Sequence, residues 1–362
     1  MSLFRFLKIK FFNSIYGKII KSVAVKNNKN ISSHTVFFNK RNSYKIYKIK
    51  NARCFQGSIH DNALIINNMI IDSPSYQYRY KNKLILNGKI SENIVFKEGT
   101  PKFKKNIKGS VFILLTGGAG KDNYFHWLFD VLPRLAILKK SSLNAKNFKF
   151  LFPSLKLNFQ RESLKKMKIS YAKCLDGGKY KHFSAENIIA TDHPYVKNNN
   201  PTSSIKNLPL WIIKWLRKQF IDKNYSKKNI SRKIYIDRSD SKFSKNRHVV
   251  NENEVKKYLV SVGFKIIILS KLNFISQIHI FNNANVIIGA HGAGFANLVF
   301  SKPRTKIIEL QSKGSGDVIK NLAKKCKLNY QRILSKNKKK NFKNPHGKIF
   351  VNLEELKRKI KL

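Results

Sequence analysis

Apolar and polar residues follow two different patterns on either side of about residue 200. Between about residues 34 and 115, short apolar runs such as TVFFN, ALIINNMIID and VFILL are separated by Gly, Asn and Pro, which predicts strands. KNFKFLFP predicts another strand and RESLKKMKI a helix. The first half is therefore expected to be β-rich and mixed α/β.

The second half alternates regularly between strand and helix patterns. NENEVKKYLVSVG predicts a helix with a capping box from Asn251 to Glu254 and an end at Gly263. The predicted strands are SRKIYIDR, FKIIILS, NVIIGA, TKIIELQ and LNYQRIL, and the other predicted helices are NFISQIHIFNNA, GAGFANLVF and DVIKNLAKKCK. Such alternation is typical of right-handed βαβ units in a parallel, Rossmann-like sheet, which binds ligands at the carboxyl ends of its strands.

A chain of 362 residues exceeds the size of most single cores, which favours two domains with a cleft between them. The Asn-, Pro- and Ser-rich stretch DHPYVKNNNPTSSIK, at about 192–206, is the best linker candidate. We therefore predict a basic N-terminal segment (1–30), an N-terminal domain (31–200), a Rossmann-like domain (201–335) and a basic C-terminal tail or helix (336–362). The C-terminal part includes the low-complexity patch SKNKKKNFKN, interpreted as a solvated basic loop.

Charge is the most unusual feature of the composition, with 73 Lys and Arg against 19 Asp and Glu, or a net charge of +54. A nucleic-acid partner is one interpretation, but no known nucleic-acid-binding motif accompanies the charge, so none is expected. A positive field also attracts nucleotide diphosphates and anionic membranes. Three widely spaced cysteines without CxxC spacing argue against a zinc site and a disulfide framework, and favour a cytoplasmic location.

The N-terminal stretch MSLFRFLKIKFFNSIYGKIIKSV interleaves apolar residues at near-helical spacing with Lys and Arg. The charges interrupt any signal-peptide core, and no apolar run in the chain is long enough to predict a transmembrane helix. Two interpretations remain open. The segment is either an interfacial helix on an anionic membrane or an ordinary amphipathic helix packed on its own domain.

The first candidate for chemistry is NYFHWLFD. If this stretch forms a helix, Asn123, His126, Asp130 and Arg134 are spaced three, four and four residues apart and fall on one face. A His–Asp pair at this spacing either removes a proton from a hydroxyl or caps a buried hydrogen-bond network, and both interpretations stay open. Pro133 is expected to end or kink the helix.

The second candidate is GAHGAGFANLVF, which follows the predicted strand NVII. Glycines here allow the backbone to approach a ligand, and the next helix offers free N–H groups to an anion. The residues concerned are His291, Gly292, Ala293 and Gly294. GxGxxG is not matched, since Asn297 occupies the third Gly position, and a purely structural role for the glycines is the alternative.

Two arginines and a glutamate are expected near that turn. Arg238 leaves the end of the strand KIYID, and Arg247 lies just before the next predicted helix, so the pair is suited to a diphosphate. Glu309 ends TKIIEL and is either a ribose ligand or a surface charge or ion-pair partner. DxD, GxxxxGK[ST] and HExxH are absent from the sequence, and no metal or cofactor is predicted.

Taken together, these motifs resemble glycosyltransferase family 61. The resemblance is carried by NYFHWLFDVLPRL, by the arginines and NENE of DRSDSKFSKNRHVVNENE, and by IIGAHGAGFANLVF followed by IIEL, and it covers roughly residues 50–335. It implies a GT-B-like fold of two Rossmann-like domains and a metal-independent, inverting hexosyl- or pentosyltransferase. Phe295 and Arg304 stand where the family pattern commonly has Leu and Gly.

The resemblance also implies roles. A nucleotide sugar, with UDP as the expected nucleotide, binds the C-terminal domain, and a glycan or lipid-linked glycan acceptor binds the N-terminal one, in capsule, lipopolysaccharide or exopolysaccharide synthesis. Asp130 is the first choice for the base, with His126 orienting it, and the reverse assignment is the second. Trp127, with Asn123 and Arg134, is assigned to support on the acceptor side. An inert nucleotide-sugar binder and a nucleic-acid-binding protein are the alternatives.

Overall fold

The computed structural model describes residues 3–58, 60–80, 83–84, 90–115, 122–196, 205–222, 231–239, 247–335 and 347–361. Gly117, Gly118 and Gly120, which precede NYFHWLFD in the sequence, lie outside these residues, as does all but the first residue of SKNKKKNFKN. The same holds for parts of the proposed linker and of the loop between Arg238 and Arg247.

The chain forms two compact units, Met1–Ile212 and Ile213–Leu362. The first unit contains a mixed ten-stranded sheet and a separate two-stranded hairpin. Its strands are β1 (Lys21–Val23), β2 (Ile31–Asn39), β3 (Asn42–Phe55), β4 (Asp61–Ile66), β5 (Met69–Ile71), β6 (Tyr76–Gln77), β7 (Arg79–Tyr80), β8 (Lys83–Leu84), β9 (Lys105–Ile113), β10 (Lys149–Phe152), β11 (Cys174–Asp176) and β12 (His182–Thr191).

The sheet of the first unit combines antiparallel and parallel pairing. Its order is β1-β5-β4-β3-β12-β9-β10-β11, with β2 and β6 added beside β3 and β4. Strand β12 pairs antiparallel with β3 and parallel with β9, so it joins a meander to a parallel part. Parallel pairing is thus confined mainly to β9–β12, and the antiparallel strands β2–β6 form the β-rich part predicted for this half.

Within the described ranges, five helices belong to the first unit and a sixth crosses its boundary. They are α1 (Leu3–Tyr16), α2 (Val95–Glu98), α3 (Tyr124–His126), α4 (Pro133–Lys140), α5 (Asn158–Lys166) and α6 (Leu210–Phe220). A π-helical turn, Trp127–Val131, separates α3 from α4, so the helix considered for NYFHWLFD is interrupted before Pro133. None of the helices that the structure describes combines the length and hydrophobicity needed to cross a bilayer.

The second unit contains the predicted parallel sheet, in the order β14-β13-β15-β16-β17. The strands are β13 (Lys233–Asp237), β14 (Lys265–Ile268), β15 (Val286–Ala290), β16 (Lys306–Gln311) and β17 (Asn329–Leu334), and all neighbouring pairs are parallel. Residues of the central strands, such as Ile288 and Ile308, are fully buried in one apolar cluster. That explains their uninterrupted apolar runs, since both faces of a parallel sheet are covered.

Helices α7 (Glu252–Ser261), α8 (Phe274–Asn283), α9 (Val318–Lys325) and α10 (Leu353–Lys361) complete this unit. GAGFANLVF forms a 3₁₀ helix, Ala293–Phe300, where a short helix is predicted. Val351 and Leu356, near the C-terminus, are fully buried in the same cluster as the sheet, so residues 349–356 belong to the core of the second unit.

The predicted capping box at Asn251 is wrong. The Asn251 side chain makes no capping bond to the helix. It donates instead to the carbonyl of Val351 at 2.9 Å and accepts from the Val351 N–H at 3.1 Å. Because an amide that pairs with a backbone peptide has no acceptor left for the helix, the tertiary contact replaces the local one. The predicted helix end at Gly263 is confirmed, with φ of 85°.

Candidate active site

The segment NYFHWLFD is held at an irregular helical turn. The Asn123 Oδ1 accepts hydrogen bonds from the N–H groups of Phe125 and His126, at 2.9 and 3.4 Å, and so caps α3. The N–H of Leu132 then bonds to the carbonyl of Trp127, five residues earlier. Pro133 has no N–H to donate and begins α4. Single π-turns of this kind occur frequently at functional sites.

Asp130 lies in the π-turn with its side chain completely buried. Its Oδ2 is 2.7 Å from Nδ1 of His126, and its Oδ1 accepts a hydrogen bond from the hydroxyl of Tyr195. Burial raises the pKa of Asp130, but the charge and the hydrogen bond of His126, with a further electrostatic effect of His193, outweigh it and hold the pKa below its ordinary value. Asp130 is therefore ionised at neutral pH and accepts the Nδ1–H of His126.

His193 approaches the same carboxylate from the far end of β12. Its Nδ1 accepts from the N–H groups of Tyr195 and Val196, which places the ring proton on Nε2. That Nε2 lies 3.8 Å from Oδ2 of Asp130, too far for a hydrogen bond. Burial lowers the pKa of His193 and favours the neutral ring, although Asp130 acts in the opposite direction.

Arg134 is buried but does not pair with the Asp130 carboxylate. Its Nε donates to the backbone carbonyl of Asp130 at 3.0 Å, and its Nη1 donates to the carbonyl and hydroxyl oxygens of Thr191 and to the carbonyl of Asp192. The guanidinium therefore ties the helical segment to the end of β12. Burial lowers the pKa of Arg134 to about 10, so it stays charged at neutral pH.

Of the residues predicted on one polar face, the structure joins only His126 and Asp130 through their side chains. Asn123 caps the backbone and Arg134 binds carbonyls. Trp127 is 2% exposed, and its Nε1 donates to the hydroxyl of Ser163 at 2.9 Å, so it anchors the segment to α5. His126, by contrast, keeps 27% of its side chain exposed. With Nδ1 directed at Asp130, Nε2 is the nitrogen that can take a proton from a hydroxyl.

Sequence reasoning missed His193 and Tyr195, because it assigned their segment to a linker. The structure fixes the start of that segment to β3. The hydroxyl of Tyr47 donates to Asp192 at 2.8 Å, and the hydroxyl of Tyr44 donates to the carbonyl of Pro194 at 2.9 Å. Residues 192–196 are therefore part of the first unit. His193 and Tyr195 could have been identified by their position, because they directly follow β12. This strand pairs in parallel with β9, and ligands bind at the carboxyl ends of such strands.

In the second unit, the carboxyl ends of the parallel strands bring several predicted residues together. Ile236 lies opposite Gly289, and Gly289 opposite Glu309, so the residues following β13 and β15 emerge side by side. Arg238 donates from Nη1 to the carbonyl of His291. Its guanidinium thus lies across the turn that begins at His291.

Gly292 makes this approach possible. A Cβ at this position would lie 2.9 Å from Cζ and 3.0 Å from Nη1 of Arg238. At Gly294 a Cβ would lie 2.7 Å from Cδ1 of Leu269. At either position a side chain would therefore displace the Arg238 guanidinium or the Leu269 side chain from its present place. Ala293 and Gly294 remain partly exposed at the start of the 3₁₀ helix.

Arg247 adds a second guanidinium to the same cleft. The cleft is lined by Tyr235, Ile236, Arg238, Ser239, Arg247, His248, Val249, Glu252 and Ala290. Burial and then the charge of Arg238 lower the pKa of Arg247, and Glu309 acts against them. Arg247 also adopts a left-handed backbone conformation, with φ of 61°. Two like charges held this close favour an anion between them.

Glu309 is completely buried, and both of its carboxylate oxygens are occupied. Oε1 accepts from Nδ1 of His291, and Oε2 accepts from the hydroxyl of Tyr330 and from Nε2 of Gln311 at 3.0 Å. The ribose contact proposed for Glu309 stays a prediction, and the geometry gives its carboxylate a different task. It orients His291, as Asp130 orients His126.

Within the described ranges, no three His, Cys, Asp or Glu side chains are grouped closely enough to hold a metal ion. All three cysteines are free thiols. The two clusters differ in the chemistry that their own side chains offer. The first offers a proton acceptor backed by a carboxylate, and the second offers paired cations at a glycine turn.

Comparison with known proteins identifies the family. The family model described as Glycosyltransferase 61 matches residues 124–308, just over half of the chain, which includes His126, Asp130 and His291. Among solved structures, the chain is similar to the bacterial iron-containing dodecameric glycosyltransferase TibC from enterotoxigenic E. coli H10407, with 11% identity over 82% of this chain and 80% of that one. The TM-score of 0.29 is too low to indicate a shared arrangement.

No curated protein matches the chain. The family match spans both compact units and contains every predicted site residue except Asn123 and Glu309, which flank it directly. The chain therefore belongs to glycosyltransferase family 61.

Proposed function

We propose that this family member transfers a sugar, with inversion, from a nucleoside-diphosphate sugar to a hydroxyl of a glycan or lipid-linked glycan. The observation that carries the proposal is that Arg238, which lies against the turn at Gly292, shares one cleft with Arg247. UDP is the expected nucleotide. The GT-B-like architecture, the cytoplasmic location, the independence from metal and a role in capsule, lipopolysaccharide or exopolysaccharide synthesis, all predicted from the sequence, are part of this proposal.

On the donor side, the leaving group is a diphosphate. As the bond between the anomeric carbon and the phosphate oxygen breaks, the electron pair and the negative charge pass to the diphosphate. Arg238 and Arg247 would stabilise that charge with charge-assisted hydrogen bonds, helped by the N–H groups at Ala293 and Gly294. Rigid cations are effective here because they do not have to reorganise during the reaction.

On the acceptor side, the attacking hydroxyl forms the new bond to the anomeric carbon and gives up its proton. The geometry favours His126 as the base and Asp130 as the group that positions it. A buried carboxylate with a lowered pKa is a weak base, whereas the exposed ring of His126 can take the proton on Nε2. This order reverses the first choice made from the sequence and adopts the second.

Asp130 has two further tasks in this arrangement. It fixes Nδ1 as the protonated ring nitrogen of His126, and its charge stabilises the imidazolium that forms. Tyr195 and Arg134 position Asp130 in turn. In the second unit, Glu309 would hold His291 in the orientation that presents the glycine turn to the diphosphate.

Thermal unfolding in the presence of nucleoside diphosphates and UDP-sugars tests the donor site. A ligand at one hundred times its Kd should stabilise the protein by about 2.7 kcal/mol, which is a shift of several degrees. Arg238→Gln should weaken UDP binding by roughly 10- to 100-fold, the effect of a lost charged hydrogen bond. Arg332→Gln is the matched control, because Arg332 is exposed and pairs with Asp317 in the same unit.

The other outcomes separate the alternatives. Stabilisation by a UDP-sugar without any transfer or slow hydrolysis would identify an inert binder. Tight, steeply salt-dependent binding to generic DNA, with no response to any nucleotide, would identify a nucleic-acid-binding protein. Equal UDP affinities of the Arg238→Gln and Arg332→Gln variants would refute the assignment of the anion site.

A further inference from the structure

Helix α1 is apolar on two sides, and the fold covers only one of them. On its inner side, Ile9 and Phe12 are buried. Five large apolar residues form what is called here the outer face, and all are largely exposed: Leu3 at 72%, Phe4 at 77%, Leu7 at 55%, Phe11 at 51% and Ile15 at 48%.

The outer face is one stripe, in which Ser14 is the single polar position. At 100° per residue, its five members fall within an arc of about 120°, the width of an apolar face that packs on a core. An ordinary amphipathic helix on a protein surface has one such arc and a polar side opposite it. Exposed apolar residues are unremarkable singly, but a contiguous group marks a contact site.

The inner side holds α1 firmly to the first unit. The ring of Phe12 lies 5.1 Å from that of Phe103, and the ring of Tyr16 lies 4.8 Å from that of His182. The carbonyl of Tyr16 accepts from Nη2 of Arg53 at 3.1 Å, and the hydroxyl of Tyr16 accepts from the N–H of Lys104. Arg5 pairs with Glu98. The outer face is thus fixed in an outward direction by the packing of the opposite side.

Charge around the outer face selects one kind of partner. The first 60 residues of the sequence contain thirteen Lys and Arg and no Asp or Glu, since Asp61 is the first acidic residue. Lys8 and Lys10 border the stripe on the helix, and the exposed Lys102 and Lys104 flank Phe103, whose ring packs against Phe11 and Phe12. An apolar stripe rimmed by cations matches the apolar interior and anionic headgroups of a lipid surface.

We propose that the outer face of α1 docks the protein on an anionic lipid bilayer, with Phe4, Leu7 and Phe11 inserted at the level of the headgroups. The 14 residues of α1 span about 21 Å, less than the roughly 30 Å of a bilayer core, so the helix lies in the interface. The proposal does not depend on the transferase chemistry. It decides between the two interpretations of this segment, because the helix packs on its own domain by one side and offers the other to lipid.

Vesicle flotation of the full chain tests the proposal. The probes are phosphatidylcholine vesicles with and without roughly one third phosphatidylglycerol. The protein is expected to float at least about tenfold more with the anionic vesicles, and 0.5 M salt should reduce that binding. Phe4→Gln with Leu7→Gln should lower binding by at least about tenfold, because two inserted side chains are lost.

Matched control variants distinguish binding by the outer face from a general effect of apolar content or net charge. Phe37→Gln with Val260→Gln removes two exposed apolar side chains elsewhere and should leave binding unchanged. Lys8→Gln with Lys10→Gln should weaken binding to the anionic vesicles, whereas Lys313→Gln with Lys320→Gln, which removes the same charge from exposed positions in the second unit, should not. The circular dichroism spectrum and Tm of each variant verify that it is folded.

Three results would overturn the proposal. The first is equal vesicle binding by the Phe4/Leu7 and Phe37/Val260 variants. The second is no preference of the unaltered chain for anionic vesicles. The third is a dimer that the Phe4/Leu7 substitutions dissociate while vesicle binding stays at the neutral-lipid level. In that case the outer face would be covered by a second copy of the chain.

Discussion

Each unit of this protein contains a buried carboxylate that accepts a hydrogen bond from the Nδ1 of a histidine and another from a tyrosine hydroxyl. In the first unit these are Asp130, His126 and Tyr195, and in the second they are Glu309, His291 and Tyr330. The carboxylates are equally inaccessible, at 0% exposure of their side chains. The difference lies in the histidines and in what else surrounds them.

His126 keeps 27% of its side chain exposed, whereas His291 keeps 9%. Beyond its hydrogen-bonded tyrosine, Asp130 has a second histidine close by, while Glu309 accepts an additional hydrogen bond from Gln311. The backbone of His291 also receives Arg238. A carboxylate–histidine pair is thus suited to proton transfer in the first unit, because the ring of His126 reaches solvent. In the second unit it is suited to fixing the turn, because the ring of His291 is nearly covered.

The largest effect that separates the two pairs is expected from Asp130→Asn. The amide keeps the shape but removes the charge that orients His126 and stabilises its protonated form. Turnover should fall by about 10²- to 10⁴-fold, the usual contribution of a general base, with donor affinity unchanged. Steady-state kinetics together with UDP-sugar binding measure both quantities.

Non-additivity strengthens this test. If His126 and Asp130 act as one unit, His126→Gln should cost about as much as the double variant His126→Gln/Asp130→Asn. Turnover of the Asp130→Asn variant near that of the unaltered chain would refute the role of Asp130, and normal turnover of His126→Gln would refute that of His126.

Glu309→Gln makes the corresponding change in the second unit and should act on binding and stability. An amide can accept from Tyr330 or Gln311, but its NH₂ group faces a donor, so at least one buried hydrogen bond is lost, at about 1–3 kcal/mol of unfolding free energy. Loosening His291 should raise the KM for the donor more than it lowers kcat. Urea unfolding and donor titration measure the two effects. A loss confined to kcat would contradict the assigned difference between the pairs.

The second unit could be predicted from its sequence more completely than the first. Runs such as KIIEL are apolar throughout because β16 is buried on both sides, and polar residues then mark the carboxyl ends of the strands. That logic correctly placed Arg238 and His291 beside each other. It failed for Asn251, because its partner Val351 is 100 residues away and local patterns contain no such contact.

The first unit was harder for the same reason. Asp130 and Tyr195 are 65 residues apart, and only the placement of β12 beside β9 brings the segment after β12 to the helical turn. The π-turn at Trp127–Val131 depends on Pro133 and on buried packing, neither of which creates a periodic pattern. The rule that polar residues after a parallel strand mark a ligand site, used for the second unit, also applies to His193 and Tyr195, because they directly follow a strand. They were missed because the Asn-rich residues after them suggested a linker.

Acid should destabilise the first unit through its buried histidines. Burial lowers the pKa of His182 to about 4, and it also lowers that of His193. Because the folded pKa lies below the unfolded value of about 6.5, the unfolded chain binds protons first as the pH falls. The free energy of unfolding should therefore decrease from pH 6.5 to 4, by up to about 1.4 kcal/mol per pH unit for one histidine.

The variant His182→Asn tests this origin of the pH dependence. The asparagine can still donate to the carbonyl of Lys102 in place of Nδ1, but it does not titrate. Urea midpoints measured across the same pH range should show a shallower slope than in the unaltered chain, and His34→Asn, at an exposed position, should leave the slope unchanged. An unaltered slope in the His182→Asn variant would assign the acid sensitivity to other groups.

The smallest effect should come from the two tyrosines, and it sharpens the comparison most directly. Tyr195→Phe and Tyr330→Phe each remove one hydroxyl donor from a buried carboxylate and leave the ring in place. Loss of one such hydrogen bond is worth about 1 kcal/mol, because the histidine donor remains. In the first unit that loss should reduce kcat by roughly threefold to tenfold, since a less constrained Asp130 orients His126 less well. In the second it should raise the KM for the donor by a similar factor and leave kcat unchanged, because Glu309 acts on the turn that binds the diphosphate.

Steady-state kinetics of the two variants, measured side by side at one pH, give the kcat and the donor KM that test this difference. If both substitutions changed the same kinetic constant, the two carboxylate–histidine pairs would share one role, and the exposure of His126 would no longer distinguish proton transfer from positioning.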